Sequence, residues 1–419
     1  MDELDLLAGA RPVDPPSART VDEARRRLTR QIYAKPASRW RARILVPVAA
    51  GALAVSTGIV VGAHVLGAAP PPPSRGATGG PRVTDTGPLR PDNRSARELL
   101  LTAAERTLNE PDPGSGKFWT STIEQGSLIQ VGQPGNRYAI MGVYTEKRWV
   151  PIVDEYLVLD RRWAGGEPAS DADKAAWKKA GSPSSWPKDP LPGCPVDPKN
   201  AYTAAADTAS TVTKNTGKSD DPRVGVQSRD GKPHVPKFWV LAEDLTADQV
   251  RALPSDPAAL KAWLITVIKK QDVPHGTDAE LGESIFYGVM NLLFQNPITP
   301  QVRSAAYKVL AGLAGVASLG AVKDAKGRNG VAVAITANDT VDEQRADSGG
   351  PYQLSLVFNP DSGQTLAEET RAMKPADYLA WVPKGAMTGY RALESTRWTD
   401  EEPPAANAPA VVARGLREC

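Results

Sequence analysis

The amino-acid sequence predicts a membrane-tethered protein whose main body is an α+β domain, with helices gathered on one side of an antiparallel sheet. Three observations predict it. A long uncharged run follows a cluster of arginines near the N-terminus. Aromatic and β-branched runs separated by short turns open the main body. Three capped apolar helices then follow in close succession before the chain returns to strands.

The uncharged run covers residues 44–69, 26 residues directly after Arg39, Arg41 and Arg43. As a helix it extends about 39 Å, enough to cross a hydrocarbon core of roughly 30 Å with some tilt. A soluble core helix of that length would carry a polar stripe, whereas here only Ser56, Thr57 and His64 are polar. A cleaved signal would place its apolar stretch much nearer the start than residue 44. The run is therefore expected to be a membrane anchor. Basic residues close to a span stay in the cytoplasm, so residues 1–43 are expected inside and the C-terminus outside, in the extracytoplasmic space. Residues 1–43 hold ten Lys or Arg against six Asp or Glu, net +4, and the remainder is net −2. Beyond the span there is no electrostatic reason to bind nucleic acid.

Within residues 1–43, Thr20 and Glu23 are spaced as a capping box. Val21, Ala24, Leu28 and Ile32 share one side of a short amphipathic helix, a candidate face for a cytoplasmic regulator or anionic lipid. In the span, Ala54, Gly58 and Gly62 recur every four residues, a candidate face for weak homodimerisation. Residues 70–94 are rich in Pro and Gly and read as a tether.

Folding is expected from residue 95 to 419. Ser95 and Glu98 form a capping box ahead of a helix with Leu99, Leu100, Ala103, Ala104, Thr107 and Leu108 on one face. The runs at 117–131, 137–153 and 155–163 read as antiparallel strands. From 165 to 236 the chain has one Leu and no Ile, Phe or Met, so it is expected to be a surface insert with weak order around Trp177 and Trp186. Helices are predicted after Asp256–Pro257, up to Asn296–Pro297, and after Thr299–Pro300. Two strand pairs follow, 319–324 with 330–338 and 352–360 with 364–373.

The basic N-terminus, the single span, "LPSDPAALKAWL", "ITPQVRSAAYKVLAGLAGVASLGAVKDAKGRNGVAVAI" and "LVFNPDSGQTLAEE" together resemble a family of actinobacterial single-pass membrane proteins of unknown function. Its members are often encoded beside extracytoplasmic-function sigma factors, and the resemblance implies that context. The element order is also similar to the curved half-barrel sheet with a helical lid of periplasmic lipoprotein carriers and of sigma-regulator sensors, which implies a curved sheet. That likeness concerns architecture, and architecture does not carry function.

Catalytic chemistry finds little support. Ser348 in "ADSGGPY" lies in a protease-like string, but the chemistry needs a histidine base held by a carboxylate. The three histidines, His64, His234 and His275, stand in no such context, so the string reads as a turn. The carboxylate pairs Asp154–Glu155 and Glu368–Glu369 read as solvated faces. No metal-ligand spacing, phosphate loop or nucleophile elbow is present, so no catalytic, metal or cofactor residue is assigned and the protein is not expected to be an enzyme. Cys194 and Cys419, the only cysteines, are a candidate intramolecular disulfide in an oxidising compartment, with intermolecular pairing as the alternative. Three classes stay open: an anchored ectodomain binding or sensing a lipid, peptide or protein; a structural or interaction envelope protein without signalling; and a cell-envelope hydrolase.

Overall fold

The computed structural model describes residues 92–153, 156–188, 201–215, 237–241, 243–270, 277–337 and 350–407. The expected cytoplasmic segment, the 44–69 span and its Ala54, Gly58, Gly62 face, the tether up to residue 91, all three histidines, Ser348, Cys194 and Cys419 lie outside these residues. Among the described residues no helix is long and apolar enough to cross a membrane.

The described chain is α+β, with a large curved antiparallel sheet and helices. Helix α1 (Ala96–Thr107) starts at the Ser95–Glu98 capping box, in which Glu98 N donates to Ser95 Oγ and Ser95 N to Glu98 Oε2. Strands β1 (Phe118–Gln133), β2 (Asn136–Pro151) and β3 (Leu157–Pro168) follow. Between β1 and β2, Pro134 fixes its own φ and Gly135 takes φ +87°, so the chain reverses in two residues. Next come helix α2 (Asp171–Lys179), the short strands β4 (Ser185–Pro187), β5 (Ala201–Thr203), β6 (Thr211–Asn215), β7 (Phe238–Val240) and β8 (Glu243–Leu245), and helix α3 (Ala247–Arg251). Helices α4 (Pro257–Lys269), α5 (Asp278–Gln295) and α6 (Pro300–Ala311) are capped by Asp256, Thr277 and Thr299, with Pro opening α4 and α6. Strands β9 (Ala317–Lys323), β10 (Asn329–Ala337), β11 (Tyr352–Phe358), β12 (Thr365–Ala372) and β13 (Met387–Thr399) complete the fold.

The main sheet runs β6-β3-β2-β1-β13-β12-β11-β10-β9. β13 was not anticipated. Its sequence, MTGYRALESTRWT, lacks a clean apolar alternation, yet it sits between β1 and β12 and closes the two halves into one sheet. The stretch expected as a surface insert also contributes more than surface: Gly165–Pro168 end β3, and β6 pairs with β3 as the sheet edge. Backbone pairing supplies that order without apolar content, and Asn407 locks it by exchanging two hydrogen bonds with Val212. Trp186 is buried with Val131, Tyr138 and Ile140, its indole N–H donating to Tyr138 OH at 2.7 Å.

Curvature follows from one contact. Lys326, in the β9–β10 turn, bonds Glu124 on β1 at 2.6 Å and Glu394 on β13 at 2.8 Å. Four strand spacings separate β10 from β1, about 19 Å on a flat sheet, far beyond a lysine's reach. The sheet therefore curls, aided by register shifts at Thr122/Ile123, Ala332/Val333, Val357/Phe358 and Thr370/Arg371. The inner face of the curl carries small residues, Gly126, Ala332, Ala334, Ala367 and Ala392, all buried. The other face carries Val331, Val333, Ile335, Leu354, Leu356 and Phe358, which share one buried cluster with Leu99, Leu260, Leu264, Phe286, Val289 and Leu310 of the helices. Each such side chain contributes about 1.5 to 3 kcal/mol on burial.

Candidate functional site

On the helix-bearing face, one cross-strand row changes character along its length. Leu356 stands opposite Glu368, Glu368 opposite Arg391, Arg391 opposite Gln125, Gln125 opposite Tyr144, and Tyr144 opposite Trp163. Side chains on one face of a sheet line up in this way, so register alone joins β11, β12, β13, β1, β2 and β3 into one strip. It passes from apolar core to polar floor to aromatic wall. The row beside it, Thr370, Gly389, Ser127, Gly142 and Gly166, is almost without side chains. On the other side, Ile123, Glu146 and Arg161 form a third row.

Two walls flank this floor. One is the C-terminal end of α5, where Gln295 Oε1 accepts from Arg391 Nη2 at 2.9 Å and the Phe294 ring lies 4.5 Å from Arg391 Cζ. Trp119 Nε1 donates to the Gln295 carbonyl at 2.6 Å and ties that helix end to the sheet. The other wall is the aromatic group Tyr144, Trp163 and Tyr202, with ring centroids 4.7 and 5.7 Å apart. Trp163 Nε1 donates to Thr203 O at 2.9 Å, and its ring covers Gly142, where a Cβ would stand 2.7 Å from Trp163 Cη2. From Arg391 on β13 to Tyr144 on β2 are two strand spacings, about 10 Å.

Glu368 is the unusual member. Its side chain is 8% exposed and its Oε2 accepts from Arg391 Nη1 at 3.1 Å. Its Oε1 is buried with no hydrogen-bond partner. A buried carboxylate oxygen without a donor costs on the order of 1 to 3 kcal/mol or more, so such an atom calls for an explanation. Burial pushes the Glu368 carboxyl above the usual carboxylate range, and Arg391 opposes the shift. Glu146 and Arg161 form a second ion pair, Arg161 Nε donating to Glu146 Oε2 at 3.0 Å. Burial raises the Tyr144 hydroxyl to about 12, so it is a neutral donor and acceptor across physiological pH. Gln125 and Ser127 make no side-chain hydrogen bond among the described residues. The floor therefore offers paired charges of both signs and uncommitted neutral groups, with the Arg148 guanidinium one row further along β2 in the field of Arg391 and Glu146.

The pair Glu368–Glu369, read from sequence as a solvated face, is buried on both sides of the sheet, Glu369 lying on the inner face with Arg371 at 3.1 Å. Adjacent strand residues point to opposite faces, so one of two consecutive glutamates had to face the helices. That was the available signal. Arg391, Gln125 and Tyr144 gave none, because only register unites them. Among the described residues no group of His, Cys, Asp or Glu is placed to hold a metal ion. No family model matches the chain, and neither a curated protein nor a solved structure matches it.

Proposed function

We propose that this chain is a membrane-anchored extracytoplasmic binding or sensing protein, with the polar floor between α5 and the Tyr144–Trp163 wall as its ligand site. The observation that carries the reading is the buried, partnerless Oε1 of Glu368 beside Arg391, at the edge of a strip flanked by two walls. A preorganised acceptor next to a fixed guanidinium is suited to holding a small molecule. The anchor rests on the uncharged 44–69 run and its flanking arginines. Residues 1–43 would carry the signal to a cytoplasmic regulator, the link with sigma-factor signalling that the family resemblance implies.

Two measurements test this. The full chain, purified in mild detergent and denatured, is analysed by mass spectrometry for a released small molecule, beside the Arg391→Ala variant. The expected result is a molecule present with the wild type and depleted in the variant; no difference refutes the site. In intact cells, a cysteine placed at Ser17 should resist a membrane-impermeant thiol reagent and one at exposed Gln133 should react, and the reverse pattern refutes the topology.

A further inference from the structure

We infer that the ligand of this groove is a neutral, hydroxyl-rich molecule, a saccharide unit; the inference rests on the reading of the floor as a binding site. Four features decide the chemistry. First, the two arginines of the floor's own rows each carry an acidic partner, Arg391 with Glu368 and Arg161 with Glu146, and Arg148, one row further along β2, donates to the Lys237 carbonyl at 2.6 Å, so a phosphate or carboxylate would meet an acidic partner beside the first two and a committed guanidinium at the third. A cationic ligand meets the same balance with the signs exchanged. Second, the floor is polar where it is not glycine, and the apolar part of this face is already packed in one buried cluster with Phe286 and Val289 of α5. An acyl chain laid there would bury Glu368, Gln125 and Tyr144 without replacing their hydrogen bonds.

Third, the floor lies in the interior of the sheet, where β12, β13, β1 and β2 use their main-chain groups in the ladders between them. Extended peptides gain affinity by pairing with a free strand edge, and no edge is offered here. Recognition must come from side chains alone. Fourth, those side chains alternate acceptor and donor at short intervals: Glu368 Oε1, the Arg391 guanidinium, the Gln125 amide, the Ser127 and Tyr144 hydroxyls, then Glu146 with Arg161. Hydroxyls both donate and accept, so a ring bearing several of them satisfies this sequence, and one O–H donated to Glu368 Oε1 removes the unpaired acceptor. The half-buried Tyr144 ring, held edge-on by Trp163, supplies an apolar wall for a sugar's C–H face.

The test uses the full chain in a zwitterionic, sugar-free detergent. Neutral di- and tetrasaccharides are titrated while saturation-transfer NMR and tryptophan fluorescence are followed, with palmitate and an uncharged tetrapeptide as rivals. Co-sedimentation with insoluble cell-wall glycan distinguishes a polymer from a free sugar as the source. At least one saccharide is expected to bind, with a loss of about tenfold or more in Glu368→Ala and a smaller loss in Glu368→Gln, which keeps an acceptor oxygen and the side-chain shape. The surface change Val153→Ala should alter nothing. Saccharide binding that is unaffected by Glu368→Ala overturns the inference. Glu368-dependent binding of palmitate or peptide without any saccharide overturns the ligand class but leaves the groove as a binding site. No binding by any probe, together with no co-purifying molecule, overturns both.

Discussion

Placing a methyl group on Gly126 tests the packing on the inner face of the curled sheet. An ideal Cβ there stands 2.0 Å from Tyr390 Cε1 and 2.6 Å from Cδ1, where carbon pairs settle at about 3.5 to 4.0 Å. The ring must therefore move by about 1.5 Å or more. It has little freedom to do so, since Tyr390 is 8% exposed and its hydroxyl donates to Glu124 Oε1 at 2.9 Å. Overpacking costs about 1 to 3 kcal/mol, and losing a hydrogen bond to a charged acceptor about 1.5 to 3. Alanine recovers about 0.5 to 1 kcal/mol relative to glycine in a strand. Gly126→Ala is thus expected to destabilise the protein by about 2 to 5 kcal/mol, read from urea unfolding of the full chain in detergent. The decisive arm is a double-mutant cycle. In a Tyr390→Ala background the obstructing ring is gone, and Gly126→Ala should become neutral or stabilising by up to about 1 kcal/mol. An equal cost in both backgrounds would refute the reasoning, because the penalty would then come from the strand backbone and not from the ring that lines the curl.

Two further predictions concern the core and the polar strip. Leu264, fully buried on α4 where it packs beside Gly288 of α5, should cost about 2 to 5 kcal/mol as Leu264→Ala, whereas Val153→Ala, 85% exposed, should stay within about 0.5; comparable urea midpoints for the two would contradict the assigned core. Glu368 should make stability pH-dependent in a definite direction. Its folded pKa is raised by burial above the unfolded value of about 4.3, so the folded state holds the extra proton. The contribution is fully present below pH of about 4.3 and is lost as pH rises through the folded pKa. Relative to wild type, Glu368→Gln should therefore gain stability as pH rises above about 4.3; parallel urea midpoints for the two proteins at every pH would show that the site does not titrate in this sense.

The helices were legible in the sequence because helix signals are local. Ser95, Asp256 and Thr299 each satisfy a backbone donor within one turn of themselves, and the observed helices begin there; Asn296–Pro297 marked where another ends, while its Thr277–Glu280 start was not read from the sequence. The long strands β1, β2 and β3 and the later pairs were equally plain, since β-branched and aromatic runs bounded by turns require no distant partner to be noticed. The sequence also determined the balance of charge and the uncharged run at 44–69. Tertiary structure decided the rest. β13 carries charged residues through the centre of the sheet, and only pairing with β1 and β12 makes it a strand. The polar strip has the same origin. Glu368, Arg391, Gln125 and Tyr144 lie far apart along the chain, and become neighbours through hydrogen-bond register, a property of strand pairs that no single stretch of sequence contains.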